Sequence, residues 1–332
     1  MEDVILVTGG AGYVGSHLTR KLLERGYRVR ILDNFLYGDE GLRDVADHPA
    51  LELITGDICD AERLASAVRG AETVVHLAAL VGDGACDLHP DRSLAINYHS
   101  TKQVLTSCQA ARARRLVFAS SCSVYGANGD SLLHEHSHLN PVSLYARTRL
   151  MSEDLLFKEA GDVEVVALRL ATVCGVSPRM RFDLMVNTMT ACATVQGAIR
   201  VTGGTQWRPH VHVQDAAEAF ALAVDTPGIG GEIFNVGSDE QNFRIAEVAE
   251  KVAAALPGVH VQELNGTADR RSYRVTFDHI REALGFEACW TVDDAINEVR
   301  DLLISGAVAD FTEARFHNAK WLSGNGHRRG AA

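Results

Sequence analysis

Short β-branched runs alternate with longer stretches of helical period from the first residues onward: Val4 to Thr8, Tyr27 to Asp33, Leu51 to Asp57, Thr73 to Ala79, Arg115 to Ser121 and Val163 to Ala171. The runs are short and rich in β-branched residues, and the stretches between are long enough for crossover helices. In the first of them, Tyr13 to Arg25, Val14, Leu18, Leu22 and Leu23 form one apolar stripe. The pattern predicts an α/β fold with a doubly wound parallel sheet built by right-handed crossovers. Beyond about residue 175 the rhythm loosens. Helices are expected at Asp215 to Val224, Arg244 to Leu256 and Val292 to Ile304, the last introduced by Thr291 and Asp294 in a capping-box pattern. The expected organisation is a first domain over residues 1–174, to which some later segments return, a smaller mixed α/β domain over 175–320, and a glycine-rich frayed tail over 321–332.

Composition narrows the partners. The formal net charge of −11 argues against nucleic acid or an anionic membrane surface, either of which needs an extended basic face. No apolar stretch approaches the ~20 residues of a membrane helix, and the acidic Glu2 and Asp3 differ from the basic start of a signal peptide. A soluble, cytoplasmic protein is expected. Seven cysteines, without a C-x-x-C pair, read as reduced thiols packed as small hydrophobes.

Candidate chemistry begins directly after the first strand. Glycines 9, 10, 12 and 15 satisfy G-x-x-G-x-x-G and G-x-G-x-x-G before an amphipathic helix. Glycine suits a tight turn against which diphosphate oxygens approach the backbone, and the helix N-terminus offers unpaired N–H groups to the anion. Asp33, ending the second strand, can accept from both ribose hydroxyls and repels a 2′-phosphate, so NAD is expected over NADP. Asp57, after the third strand, either receives the adenine amino group or caps a helix.

Four motifs then occur in order: TGGAGYVG (8–15), HLAA (76–79), SSCSVYG (120–126) and YARTR (145–149). The chain resembles the extended short-chain dehydrogenase/reductases, specifically the NAD-dependent epimerase/dehydratase group acting on nucleotide-linked sugars. The resemblance implies a Rossmann domain with a smaller substrate domain. It implies NAD contacts from Gly9, Gly12, Tyr13, Val14, Gly15, Asp33, Asn34, Asp57, Ile58, Leu77, Ala78, Ala79, Asn97, Tyr145 and Arg149. Its catalytic set falls on Ser121, Tyr145 and Arg149, the last standing where the family has lysine. Tyr145 exchanges the proton of a sugar hydroxyl while the carbinol hydride passes to the nicotinamide, with Ser121 bonded to the same oxygen. A tyrosine of ordinary pKa ~10 needs a fixed cation to ionise near neutrality, and Arg149 can serve, with a planar fork in place of an ammonium.

The resemblance also shapes the reaction. Family members that dehydrate hexoses carry aspartate and glutamate where this chain has Cys122 and Ser123, so dehydration is disfavoured and epimerisation, most simply at C4, is the leading expectation. A ketoreductase or dehydrogenase with net NAD(H) turnover is the nearest rival, and a non-catalytic NAD(H) sensor is the alternative of another class. Substrate contacts are expected from Ser121, Cys122 and Ser123, with Asn187, Arg208 and Arg271 clamping the nucleotide diphosphate through donors and bidentate guanidinium groups. The alternative for Arg208 and Arg271 is surface ion pairing, and Asp215 is expected to cap a helix rather than touch substrate. His134, His136 and His138 alternate in a polar loop and are expected to stay solvated, without metal. A homodimer through helices around Ser93 to Ala113 and Ser143 to Lys158 is implied by the same resemblance.

Overall fold

The alternation of apolar runs produces a seven-stranded parallel sheet. Its strands are β1 (Val4–Thr8), β2 (Arg28–Asp33), β3 (Leu51–Thr55), β4 (Thr73–His76), β5 (Arg115–Ser121), β6 (Glu164–Leu170) and β7 (Ile233–Val236), in spatial order β7-β6-β5-β4-β1-β2-β3. The structure is a computed structural model that describes residues 3–264 and 269–325. Side chains alternate between two cores: Ile5, Val7, Val29 and Ile31 pack on one face, Leu6, Leu32, Val74 and Phe118 on the other. The inner strands β1, β4, β5 and β6 are buried on both sides, whereas the edge strand β3 is largely exposed. Strand order reverses between β1 and β4, so a crevice opens beyond their carboxyl ends, the position where such sheets bind ligands.

The predicted strands end early at that crevice. β3 stops at Thr55 and β4 at His76, and the residues that follow line a cavity instead. Helix α1 (Gly15–Glu24) begins two residues later than its apolar stripe suggests, because the glycine turn occupies those positions, and it buries Leu18, Leu22 and Leu23. Helix α2 (Ala61–Val68) is capped by Asp60, whose carboxylate accepts from the Glu62 and Arg63 N–H groups. Asp57 is therefore not its cap. Helix α3 (Ser100–Ala111) continues from a π-helical turn at Ala95–His99 that carries Asn97. Helix α4 (Leu144–Glu159) starts at Ser143, whose hydroxyl accepts from the Ala146 N–H at 3.2 Å.

The second region holds α5 (Met185–Gln196), α6 (Val213–Asp225), α7 (Ile245–Ala255) and α8 (Val292–Ile304). A three-stranded sheet of Thr172–Cys174, Trp207–His212 and Asn242–Arg244 supports it. α5, α7 and α8 share a separate core through Val186, Val248 and Ile296, whereas α6 packs Ala216 and Phe220 into the sheet core and β7 joins the sheet edge. The capping box at Thr291 and Asp294 forms as expected. Asp215 does not cap α6. His212 occupies that position, and the Asp215 carboxylate instead accepts from the Cys289 and Trp290 N–H groups at 3.1 and 2.9 Å, pinning the segment that leads into α8. The expected tail is ordered at its start, because a helix spans Asn318–Asn325 and Leu322 is buried with Leu80 and Cys86. The rest of that expectation, residues 326–332, lies outside the described residues. No described helix is long and apolar enough to cross a membrane.

Candidate active site

A cavity of about 340 Å3 fills the crevice. Its floor is the glycine turn. Gly9 adopts φ +75°, and a Cβ there would lie 2.8 Å from the Ala78 backbone, so the turn packs against the residues after β4 as only glycine allows. A Cβ on Gly15 would lie 2.3 Å from the Gly9 carbonyl oxygen. α1 carries no acidic residue in its first turn and no side-chain cap, which leaves its N-terminal N–H groups for an anion. Asp33 is held by N–H donors from Ala11 at 3.0 Å and Phe35 at 2.8 Å. Burial pushes its carboxyl above the usual range, and the Phe35 and Ala11 donors oppose that shift. Asn34 donates to Asp57 at 3.1 Å, and the other Asp57 oxygen accepts from the Cys59 N–H at 2.9 Å. Gly12, Tyr13, Val14, Ile58, Leu77, Ala78 and Ala79 line the same space.

At the opposite end, Ser121 terminates β5, and Tyr145 and Arg149 stand one turn apart on α4. All three line the cavity. Arg149 is 1% exposed, its guanidinium carbon 5.2 Å from the Tyr145 ring centroid and 5.4 Å from that of Phe118. One nitrogen donates to the Ala119 carbonyl at 3.1 Å, while Nε and the second terminal nitrogen are buried without a partner. Unpaired buried donors on a cation are costly, and a ribose with adjacent hydroxyls would satisfy both. Among the described residues the Tyr145 hydroxyl has no hydrogen-bond partner, which leaves it open to a ligand. Burial pushes the Tyr145 phenol up, and the Arg149 charge pulls against that rise. Behind Arg149, His76 bonds Thr8 at 2.8 Å and Thr101 at 3.1 Å. Burial, reinforced by the Arg149 charge, brings its pKa down to about 3, so it is neutral at physiological pH.

A buried ion pair fixes the serine strand from behind. Arg169 meets Glu153 at 2.7 Å, with side chains 3% and 2% exposed, and Ser120 donates to the same carboxylate. Ser121 accepts from the Ser123 N–H at 3.2 Å, and the Ser123 hydroxyl, buried at the cavity wall, has no partner.

Four expected contacts face elsewhere. Asn97 lies behind the wall, exchanging hydrogen bonds of 2.9 Å with both backbone groups of Leu80. Cys122 turns into the core, its thiol donating to the Arg169 carbonyl at 3.2 Å and pushed up strongly by burial. Cys122 opens a 3-10 turn over Cys122–Tyr125 directly after β5, which packs the thiol inward while Ser121 and Ser123 line the cavity. Asn187 is fully buried, accepting from the Gly175 N–H and donating to Tyr13 and to the Arg181 carbonyl. Arg208 donates to Asp269 at 2.8 Å and to the Arg271 carbonyl, and does not line the cavity. Arg271 does, yet its guanidinium is divided between Asp269 and Asp83. Burial raises the Asp269 pKa, but hydrogen bonds from Arg271 and the Arg208 charge outweigh it and hold the carboxyl at about 2.

Sequence reasoning missed Tyr37, Asp83, Arg179, Arg181, Tyr273 and Asn318, all on the cavity wall. Paired arginines in the stretch SPRMR (177–181) were the available signal. His134, His136 and His138 are exposed, and among the described residues no group of three metal-ligating side chains occurs.

Such a cavity suits hydride and proton exchange between a dinucleotide and an alcohol. The chain belongs to the NAD dependent epimerase/dehydratase family, whose model matches residues 5–237. It is an enzyme of the extended short-chain dehydrogenase type, with NAD as cofactor. A protein of Bacillus subtilis (strain 168) described as an uncharacterized UDP-glucose epimerase, YtcB, is 28% identical over 78% of this chain and 85% of its own. A 3 beta-hydroxysteroid dehydrogenase/Delta 5-->4-isomerase of Mycobacterium tuberculosis (strain ATCC 25618 / H37Rv) is 36% identical over 47% of this chain and 43% of its own. Among solved structures, MoeE5 in complex with UDP-glucuronic acid and NAD is 30% identical with a TM-score of 0.78, covering 92% of this chain and 99% of that one.

Proposed function

We propose that this protein epimerises a nucleotide-linked sugar, most simply at C4, through a ketosugar that is formed and reduced in one site. The observation that carries the reading is the Tyr145–Arg149 pair: a half-buried phenol on the cavity wall beside a buried guanidinium with two free donors. NAD, when bound, supplies a hydride acceptor that becomes the donor on the return step. Tyr145 takes the proton of the sugar hydroxyl and later returns it. Ser121 hydrogen-bonds the same oxygen, and Arg149 favours the tyrosinate while its free donors hold the cofactor ribose. Elimination of water would need an acid at the leaving group, and Cys122 and Ser123 supply none: the thiol is in the core and Ser123 offers a hydroxyl. Arg271 takes the nucleotide diphosphate on the cavity wall, and Arg208 acts through Asp269. α3 and α4 form the homodimer interface in this reading, with Met151 of α4 exposed, which light scattering of the purified chain tests directly.

The functional test incubates the protein and NAD with UDP-, GDP-, CDP- and dTDP-hexoses and hexuronates, with a 3β-hydroxysteroid alongside. Sugar isomers are read by NMR and reduced cofactor by absorbance. Isomer exchange without net cofactor reduction is expected. Stoichiometric accumulation of reduced cofactor would replace epimerase by dehydrogenase, and turnover of the steroid alone would remove the sugar.

A further inference from the structure

Four arginines line the cavity: Arg149, Arg179, Arg181 and Arg271. Arg181 is paired with Asp183 at 2.9 Å and Arg271 with Asp269 and Asp83. Arg149 faces Tyr145. Arg179 is 5% exposed and meets no carboxylate among the described residues; its hydrogen bond goes to the neutral Asn318 side chain at 2.7 Å. Its guanidinium lies 4.2 Å from the centroid of the Tyr37 ring, a contact that orients a cation without neutralising it. Burial and the nearby Arg181 charge lower its pKa only to about 10, so it stays charged at neutral pH. No carboxylate bonds this guanidinium, Asp183 and Asp33 act on it only through space, and a buried cation in that position is stabilised by an anion placed in contact with it.

The chain path identifies which anion. Residues just ahead of Arg179 are bonded to the first turn of α1. Ser177 donates to the Tyr13 carbonyl at 2.8 Å and lies 3.0 Å from the Ser16 hydroxyl, Tyr13 donates to the Gly175 carbonyl at 2.6 Å, and His17 meets the Val176 carbonyl at 3.1 Å. The segment is thus strapped across the uncapped helix N-terminus that follows the glycine turn. Two residues of chain span at most about 7 Å, so Arg179 is held over that end. We propose that Arg179 is a cofactor-binding residue, delivered from the second half of the chain, whose guanidinium takes the diphosphate of the dinucleotide from the side opposite the glycine turn. The N–H groups of α1 and the Arg179 fork then enclose one dianion, and cofactor binding ties the two halves of the molecule together. A nucleotide sugar carries the same diphosphate chemistry, so the two sources must be separated.

Calorimetric titration of the full chain, freed of nucleotide, does so with NAD, ADP-ribose, adenosine and UDP. Arg179→Met is expected to weaken NAD and ADP-ribose by about 10- to 100-fold, the range for a charge-assisted bond to phosphate. Adenosine and UDP should stay within about twofold, and the fall of NAD affinity with salt should become shallower. Arg179→Lys, which keeps the charge and loses the fork, should fall between the two and retain the wild-type salt dependence. Unchanged NAD and ADP-ribose affinity in Arg179→Met overturns the proposal. So does an equal loss for adenosine, which would mean a damaged nucleoside pocket, or a loss confined to UDP, which would assign the arginine to the substrate. If Arg179→Met does not fold, the Arg179→Lys titrations and their salt dependence decide on the same criteria.

Discussion

The two ends of the cavity were built by different means. At the cofactor end, the glycine turn, Asp33 and the residues after β4 converge because backbone geometry places them: strands end at the crevice and the turn joins them. At the end proposed for substrate, Arg208, Arg271, Asp269 and Asp83 form a network in which two cations are met by two carboxylates. A diphosphate arriving at Arg271 must compete with carboxylates already there. The lesson is that a motif read along the chain locates backbone donors well and free charges poorly, since a charge is free only if nothing distant in sequence has neutralised it.

The largest expected effect lies where the two ends meet. Tyr145→Phe should lower turnover by about 10²- to 10⁴-fold, the range for loss of a general acid–base group, while calorimetry shows NAD affinity unchanged. Next comes the buried pair behind the serine strand. Arg169→Met strands Glu153 in the core and should cost about 3–5 kcal/mol in urea unfolding, far more than an exposed pair such as Arg43–Asp39 would.

Beside Tyr145, Arg149→Met should move the rising limb of the pH–rate profile to higher pH, because burial raises the Tyr145 phenol and the guanidinium is what opposes the rise. Arg149→Lys should keep that limb near its original position. The same region carries a stability signature. His76 is neutral when folded, with its pKa brought down to about 3, while an unfolded histidine titrates near ~6.5. The unfolded chain therefore binds the proton first. Stability from this group is complete above ~6.5 and lost as pH falls toward 3, at up to about 1.4 kcal/mol per pH unit, and His76→Asn should flatten that part of the curve.

The smallest contrast tests the substrate end directly. Arg271→Ala should raise KM for the nucleotide sugar by about 10-fold or more, and Arg208→Ala by only a few-fold through the loosened Asp269. Equal effects would mean that Arg208 reaches the ligand after all.

Much was legible in the chain itself. Short β-branched runs alternating with helical stretches specified a parallel sheet, and glycines between a strand and an amphipathic helix specified a phosphate-binding turn, because both depend on local backbone geometry and period. The spacing of Tyr145 and Arg149 placed them on one helix face for the same reason. Side-chain partnerships required the tertiary structure. It turned Cys122 inward, used Asn97 and Asn187 to hold loops, and paired Arg208 with Asp269. It also left Arg179 buried on the cavity wall with the neutral Asn318 side chain, rather than a carboxylate, as its hydrogen-bond partner among the described residues. Burial and charge compensation depend on atoms far apart in sequence, so the period of a segment carries no record of them.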